Sequence, residues 1–320
     1  MTLEKDMFML TTRESNVRKA KFIEGAFKGK VNRPIEYEVH IGPNDLLPVA
    51  YLEMAIEKSK TVAFIELPNG GASGFLVGKD LLLTNNHVFP DASTANQAVI
   101  RFNFENDIHG NPKPNDDYYC NAGQFFYTNE SLDFSLVKVN KIKRDDNPSN
   151  NVALPGERWG YNTIFSNPND GNKVTLTIEK NLNIVQHPGM RKKEIGIRNN
   201  TFDGLNKEYP DFLRYKTDTE PGSSGSPIYN DSWELVGLHH SAGESKNGVF
   251  VNNEGILISS IINDMLMNFP AMENGNQILA QLGIKELHNR KGEGGSVSAS
   301  GTTDSRGNSS VTVTGTWTFK

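Results

Sequence analysis

Residues 217–230 read TDTEPGSSGSPIYN, a stretch in which three serines are packed among glycines and prolines. Clusters of this kind ordinarily mark solvent loops. The sharper reading makes one serine a nucleophile and uses the glycines to turn backbone N–H groups towards a substrate. A serine nucleophile needs a base, and the base needs an orienting acid. Upstream, LLLTNNHVF (81–89) sets His87 just beyond a hydrophobic strand, and SLDFSLVKV (131–139) sets Asp133 directly before an alternating one. A buried aspartate there would hold the imidazole in one tautomer and stabilise its protonated form. Ser224 then becomes the attacking residue. Gly222 permits a backbone in which its own N–H and that of Ser224 converge as an oxyanion hole.

Singly these pieces are weak: a histidine after a strand is most often structural, and an aspartate at a strand start is commonly a turn residue. The order His87, Asp133, Ser224 along one chain is what makes the set specific. One competitor fails. Gly222-Ser223-Ser224-Gly225 looks like the start of the G-x-S-x-G elbow of α/β hydrolases. That motif needs glycine at the position of Ser226, and its acid and histidine should follow the serine rather than precede it.

Around this set, from residue 61 onwards, short β-rich runs alternate with turn residues, among them TVAFIEL (61–67), QAVIRFNF (97–104), KVTLTIEK (173–180) and WELVGLHH (233–240). Many short strands at near-regular spacing predict an all-β barrel or sandwich. KRDDNPSNNVALPGE (143–157) reads as a linker between two halves of similar size. The chain then divides into an N-terminal extension with a helix (1–57), a first β unit (58–148), a second ending in a helix (149–270), and a C-terminal helical segment with a Gly/Ser/Thr-rich tail (271–320).

The extension contains NDLLPVAYLEMAIEKSK (44–60), whose cap signal predicts a helix near 46–59 with Val49, Leu52, Ile56 and Ser59 on one face. After Asn253, the positions Ile258, Ile261, Ile262, Met265, Leu266 and Phe269 form one apolar stripe, predicting a helix near 255–269, and a shorter helix covers 275–284. Residues 310–319 set Val311, Val313, Trp317 and Phe319 against threonines at period two, which favours a strand. SVSAS (296–300) is its hairpin partner through TTDSRGNS (302–309). A lone hairpin is marginal in water, so this one docks on the body of the protein or on a partner's sheet edge.

The 320 residues carry 33 basic and 38 acidic side chains, a net charge of −5 that gives no electrostatic reason to expect nucleic acid. Cys120 is the only cysteine, which rules out an intrachain disulfide and fits a reducing compartment. The first 22 residues hold no apolar signal core and no stretch approaches membrane-spanning length, so the chain reads as soluble and cytoplasmic, with no membrane partner. His239 and His240 are neighbours on a strand, and alternation sends them to opposite faces, a poor metal pair. No metal or cofactor is expected. His40, His109, His187 and His288 lie in polar or turn contexts.

GASGFLV (71–77), LLLTNNHV, LDFSLVKV, GSSGSPIYN and WELVGLHH together resemble the signature strands of trypsin-like serine proteases, in particular the disulfide-free bacterial branch that includes the glutamyl endopeptidases. The resemblance covers about residues 58–262. It implies two antiparallel six-stranded β-barrels with the active site in the cleft between them, His87 and Asp133 from the first and Ser224 from the second. It further implies a protein or peptide substrate hydrolysed through an acyl-enzyme. Ser223 stands where the animal digestive enzymes carry the aspartate that receives a freshly cut N-terminus, so activation by that route is not expected. The resemblance extends to bacterial members that serve stress or phage-defence systems, with residues 1–57 or 291–320 as the segments a regulatory partner would engage. An adaptor on an inactive protease scaffold is the rival class, and the complete set of His87, Asp133, Ser224 and Gly222 weighs against it.

In that family the residues shortly before the serine and the strand after it shape the pocket for the P1 side chain, the one preceding the scissile bond. Here these are Asp218, Thr219 and GLHH (237–240). Asp218 occupies the place of trypsin's basal carboxylate, which would favour Arg or Lys. Thr219 and His239 match the positions at which glutamyl endopeptidases hold an acidic side chain. Both remain open, with an acidic preference slightly ahead.

Overall fold

The computed structural model describes residues 46–140, 153–164, 173–178, 181–283, 292–303 and 309–319. The expected extension before residue 46, most of the expected linker, His40 and His288 lie outside the described residues. Contacts divide the chain into two units, Met1–Pro48 and Val49–Lys320, and the elements below belong to the second. No helix among the described residues is long and apolar enough to cross a membrane.

Helix α1 (Ala50–Lys60) leads into the first sheet, made of β1 (Val62–Leu67), β2 (Gly70–Leu76), β3 (Leu81–Thr84), β4 (Val99–Phe102), β5 (Asp116–Tyr119), β6 (Phe126–Asn129) and β7 (Phe134–Lys138). A short helix, α2 (Ala92–Gln97), precedes β4, and its N-terminus is capped by the Asp91 carboxylate accepting from Thr94 N–H at 2.7 Å. The strand order is β5-β4-β1-β2-β3-β7-β6, all antiparallel. The sheet curls until the end of β5 meets the end of β7: Cys120 bridges Val139, Asn121 N–H donates to Lys138 O at 2.7 Å, and Asn140 N–H donates to Tyr119 O at 2.8 Å. Closure of this kind removes an exposed edge.

After α3 (Pro155–Trp159) and β8 (Lys173–Ile178), the second sheet takes β9 (Asn183–Gln186), β10 (Glu194–Gly196), β11 (Phe202–Leu205), β12 (Phe212–Tyr215), β13 (Pro227–Tyr229) and β14 (Leu235–Ala242). A small hairpin, β15 (Ser245–Lys246) and β16 (Val249–Phe250), precedes its last strand, β17 (Asn253–Leu257). The order is β10-β9-β13-β14-β17-β12-β11, and the bridge Asn181↔Thr201 closes it. The two-barrel, mostly β architecture is therefore as expected, with seven strands in each sheet where the resemblance implies six.

Helix α4 (Ile258–Asn268) buries Ile258, Ile261, Ile262, Met265 and Leu266, the apolar stripe expected from the sequence. A shorter helix, α5 (Gly275–Gln281), follows. The tail forms the expected hairpin, β18 (Gly292–Thr303) with β19 (Ser309–Phe319). It docks on the chain itself: β19 pairs with β8 from Val311↔Ile178 to Thr316↔Lys173, giving a three-stranded sheet beside α4.

Helix α1 departs from its expected start and face. It begins at Ala50, with Val49 before it already at helical φ −58° and ψ −32°. Tyr51 and Ala55 are its buried residues, and Tyr51 packs on Trp233 with ring centroids 5.2 Å apart. Val49, Leu52 and Ile56, the expected inward stripe, are exposed. One large aromatic with a ring partner outweighs several smaller apolar groups in setting the rotation of a short helix.

Strands β3 and β7 carry the site, and their composition explains where they lie. Leu82 and Val137 face the interior of the first barrel, whereas Leu81, Leu83, Phe134 and Leu136 join the larger core shared with the second barrel and α4. Strands buried on both faces read as continuous apolar runs rather than alternating ones. That is why LLL and FSLV stand at the seam.

Candidate active site

Leu83 lies opposite Leu136 and Thr84 opposite Ser135, so the end of β3 and the start of β7 emerge at the same rim of the barrel. This brings His87 to Asp133. The ring Nδ1 is 2.8 Å from Asp133 Oδ2, and the His87 backbone N–H donates to Oδ1 at 2.9 Å. Asp133 has φ +45°, a left-handed conformation that is uncommon for a residue with a side chain. It is held there by its own N–H donating to Glu130 O at 3.2 Å and by Asn85 Nδ2 donating to its carbonyl at 3.0 Å. The Asp133 side chain is 10% exposed against 47% for His87, so the acid is sheltered and the ring faces the cleft. Burial by itself would raise the Asp133 carboxyl, but hydrogen bonds from His240 and His87 outweigh it and hold the group at about 2.

Ser224 arrives from the second barrel on the loop before β13. Two hydrogen bonds lock that loop to the first barrel at Ser73 in β2, and a third ties Ser73 to His187. Ser73 N–H donates to Ser224 O at 2.8 Å, Ser73 Oγ donates to Gly222 O at 2.9 Å, and the same Oγ accepts from His187 N–H at 3.1 Å. Ser223 is buried and closes the turn, its N–H donating to Glu220 O at 2.9 Å and its Oγ accepting from Glu220 N–H at 3.2 Å. This turn occupies the position at which an aspartate ion pair would otherwise be expected. Gly222 has φ +102°, and a Cβ there would lie 2.6 Å from His187 O, so only glycine fits. Among the described residues, neither the Gly222 nor the Ser224 amide N–H has a hydrogen-bond acceptor.

His87, Ser224, Asp218, Thr219, His239 and His240 all line one cleft of about 860 Å³. No direct hydrogen bond joins Ser224 Oγ to the His87 ring in this resting structure, and such bonds often tighten only with substrate. His239 is buried, and its Nδ1 lies 2.5 Å from the Tyr215 hydroxyl. Burial keeps Tyr215 protonated, and which of the two groups donates depends on the His239 tautomer. Burial, together with the neighbouring His240, pushes His239 down to about 3, so the ring is neutral at ordinary pH. Thr219 is half-buried and Asp218 exposed, the latter's carbonyl accepting from Gln186 Nε2 at 2.9 Å.

The structure adds a residue the sequence reading passed over. His239 and His240 do face opposite ways, but His240 turns to Asp133, its Nδ1 2.6 Å from the same Oδ2 that His87 meets. His87, Asp133 and His240 are thus a set of metal-ligand type, assembled from distant segments rather than from adjacent residues of one strand. The only sequence signal was its place beside His239 on a strand that reaches the cleft. His187, read as a turn residue, is buried beside Phe64 and Phe104 near the loop that carries Ser224, with its Nε2 unpartnered among the described residues. Cys120 is buried and its thiol pushed up to about 12, so it is inert.

The two buried histidines set an acid limit. Burial lowers His187 and His239 from 6.5 to about 3, so between those values the unfolded chain binds protons that the folded one refuses. Stability is therefore complete above about pH 6.5 and falls as the pH drops towards 3, by on the order of 1 kcal/mol per pH unit for each histidine. Urea unfolding at pH 7.5 and pH 5 measures this. Equal midpoints at the two pH values would contradict it.

Comparison with known proteins gives the site its family. Residues 72–238 match the family model described as a trypsin-like peptidase domain. The chain is 31% identical over 217 residues to the uncharacterised protein y4fB of Sinorhizobium fredii, a match covering 64% of this chain and 31% of that protein. It is 26% identical over 208 residues to a glutamyl endopeptidase of Staphylococcus aureus, covering 64% of this chain and 55% of the relative. The match thus spans only about a third to a half of these curated relatives. Among solved structures it is similar to the active form of the Rv3671c protease of M. tuberculosis, at 14% identity and a TM-score of 0.44 over 80% of this chain and 96% of that one. The chain belongs to the trypsin-like peptidase family and carries a serine-peptidase domain of the two-barrel, chymotrypsin-like fold.

Proposed function

We propose that the protein is a serine endopeptidase in which Ser224, His87 and Asp133 act as the catalytic triad. The observation that carries this reading is the His87–Asp133 pair, with His87 opening on the cleft that Ser224 also lines. Ser224 Oγ attacks the scissile carbonyl while His87 Nε2 takes its proton. The Gly222 and Ser224 N–H groups receive the oxyanion, a contribution of roughly 10²–10³ in rate for each such donor. His87 then gives the proton to the leaving amine, and water repeats the sequence on the acyl-enzyme. Asp133 keeps the His87 proton on Nδ1 throughout. A fluorophosphonate probe should label Ser224, and the absence of labelling under conditions where the chain is folded would favour an adaptor on a protease scaffold.

For the side chain at P1, the geometry supports an acidic preference over a basic one. A carboxylate entering a cleft loses water and needs replacement donors. In the tautomer where Tyr215 donates to Nδ1, neutral His239 carries its proton on Nε2, and Thr219 lines the same cleft. Asp218 is exposed rather than held at a sheltered pocket floor, which weakens the case for Arg or Lys. Matched peptides with Glu, Arg or Leu at P1 decide between the readings. Glu is expected to win, and His239→Ala should cut cleavage after Glu by roughly 10- to 100-fold relative to Leu, the worth of a hydrogen bond to a charged group. A preference for Arg that Asp218→Ser removes would overturn the acidic assignment.

A further inference from the structure

We propose that His87, Asp133 and His240 form an inhibitory site for a divalent ion of the zinc type, which silences the peptidase by locking His87 in the wrong tautomer. The inhibition rests on the serine-peptidase reading above; the binding site does not.

Two imidazole nitrogens converge on one carboxylate oxygen, His87 Nδ1 at 2.8 Å and His240 Nδ1 at 2.6 Å from Asp133 Oδ2. The ligand atoms these residues offer all lie within 4.8 Å of one another. Two histidines and one carboxylate are a set that zinc takes in three-ligand sites, with bonds of about 2.0–2.2 Å and a fourth position left for water. That geometry spaces the ligand atoms about 3.3 Å apart. The ion therefore enters by replacing the protons that bridge the cluster, lengthening the two nitrogen–oxygen distances by roughly half an ångström and holding the two nitrogens, which lie within 4.8 Å of each other, about 3.3 Å apart. The two rings can give: their side chains are 47% and 29% exposed, and both line the cleft. Calcium and magnesium prefer many oxygen ligands, and one carboxylate does not satisfy them.

The proton balance explains the inhibition. In the competent state His87 carries its proton on Nδ1 and a lone pair on Nε2. An ion at Nδ1 needs the lone pair there, so the proton moves to Nε2 and the ring stays neutral. The His240 proton shifts to Nε2 in the same way. A His87 ring protonated at Nε2 has nothing with which to accept the Ser224 proton, and a triad held in the wrong tautomer loses about 10⁴ in turnover.

The test begins with full-length Ser224→Ala, which binds without turnover. Titration with Co²⁺ should give the visible absorption of a low-coordinate nitrogen/oxygen site at one equivalent, displaced by Zn²⁺. Adding His240→Ala should weaken binding by at least roughly 10-fold, by analogy with the loss on removing even a supporting group. In the active chain, micromolar Zn²⁺ should stop peptide cleavage and EDTA should restore it, while Ca²⁺ and Mg²⁺ do nothing. The His240→Ala variant, measured against its own metal-free rate, should keep cleaving at zinc levels that silence the parent. Absence of the cobalt band, or binding indifferent to His240→Ala, overturns the site. Zinc found on His87 Nε2 by nitrogen NMR overturns the tautomer lock. A chain that binds cobalt as described but never cleaves peptides contradicts the peptidase reading and not the site.

Discussion

Ser224→Ala is expected to lower peptide-bond turnover by roughly 10⁴–10⁶-fold without loss of fold, and His87→Ala to do about the same. The alanine removes only the attacking oxygen, because the contacts that hold the loop are made by its backbone: Ser224 O to Ser73 N–H and Gly225 N–H to His239 O, at 2.8 and 3.1 Å. His87 is held by its amide to Asp133 Oδ1 as well as by its ring, so the loop keeps one anchor when the ring is removed. Residues of one catalytic unit do not add, and the double variant should be no slower than either single one by more than a few-fold. Steady-state cleavage of one peptide across the three variants checks this, with circular dichroism confirming the fold. A double variant slower by the product of the two single losses would mean that His87 and Ser224 act independently.

The second large effect is structural. Gly225→Ala is expected to destabilise the protein by about 3 kcal/mol or more, combining overpacking with a strained backbone. Gly225 has φ +84°, and a Cβ built there would lie 2.0 Å from the Ser73 carbonyl oxygen and 2.3 Å from Thr84 Oγ1. Neither neighbour can yield: the Ser73 carbonyl accepts from Thr84 Oγ1 at 2.8 Å, and both sit on strands of the first barrel. The seam must open, drawing Ser224 away from the barrel that carries His87, so activity should fall along with stability. Gly204→Ala is the control, since its φ of +102° brings the same backbone strain but no atom lies within 4 Å. It should cost only on the order of 1 kcal/mol. Urea midpoints for the two variants give the comparison, and equal losses would show that packing at the seam contributes nothing.

Much of this protein could be read along the chain because the relevant physics is local. Short apolar runs bounded by turn residues report strands, and a stripe such as Ile258, Ile261, Ile262, Met265, Leu266 reports a buried helix face. The alternation of Val311 and Val313 with threonines reports β19. The proposed triad of His87, Asp133 and Ser224 could be singled out as candidates because each sits at a strand boundary or in a glycine-rich turn, features written within a few residues.

Other features depend on which distant segments become neighbours, and no local pattern encodes that. His240 meets Asp133 across 107 residues, through the approach of two barrels. Alternation correctly parts His239 from His240, but cannot say what each face will meet. Strand β19 could have paired with any open edge; it found β8, which follows the first barrel in the chain and joins neither seven-stranded sheet. Helix α1 turned Tyr51 inward and left Val49, Leu52 and Ile56 exposed, because the partner that decided its rotation, Trp233, lies on the second barrel. Periodicity states which residues share a face, whereas burial depends on what the rest of the chain brings to that face.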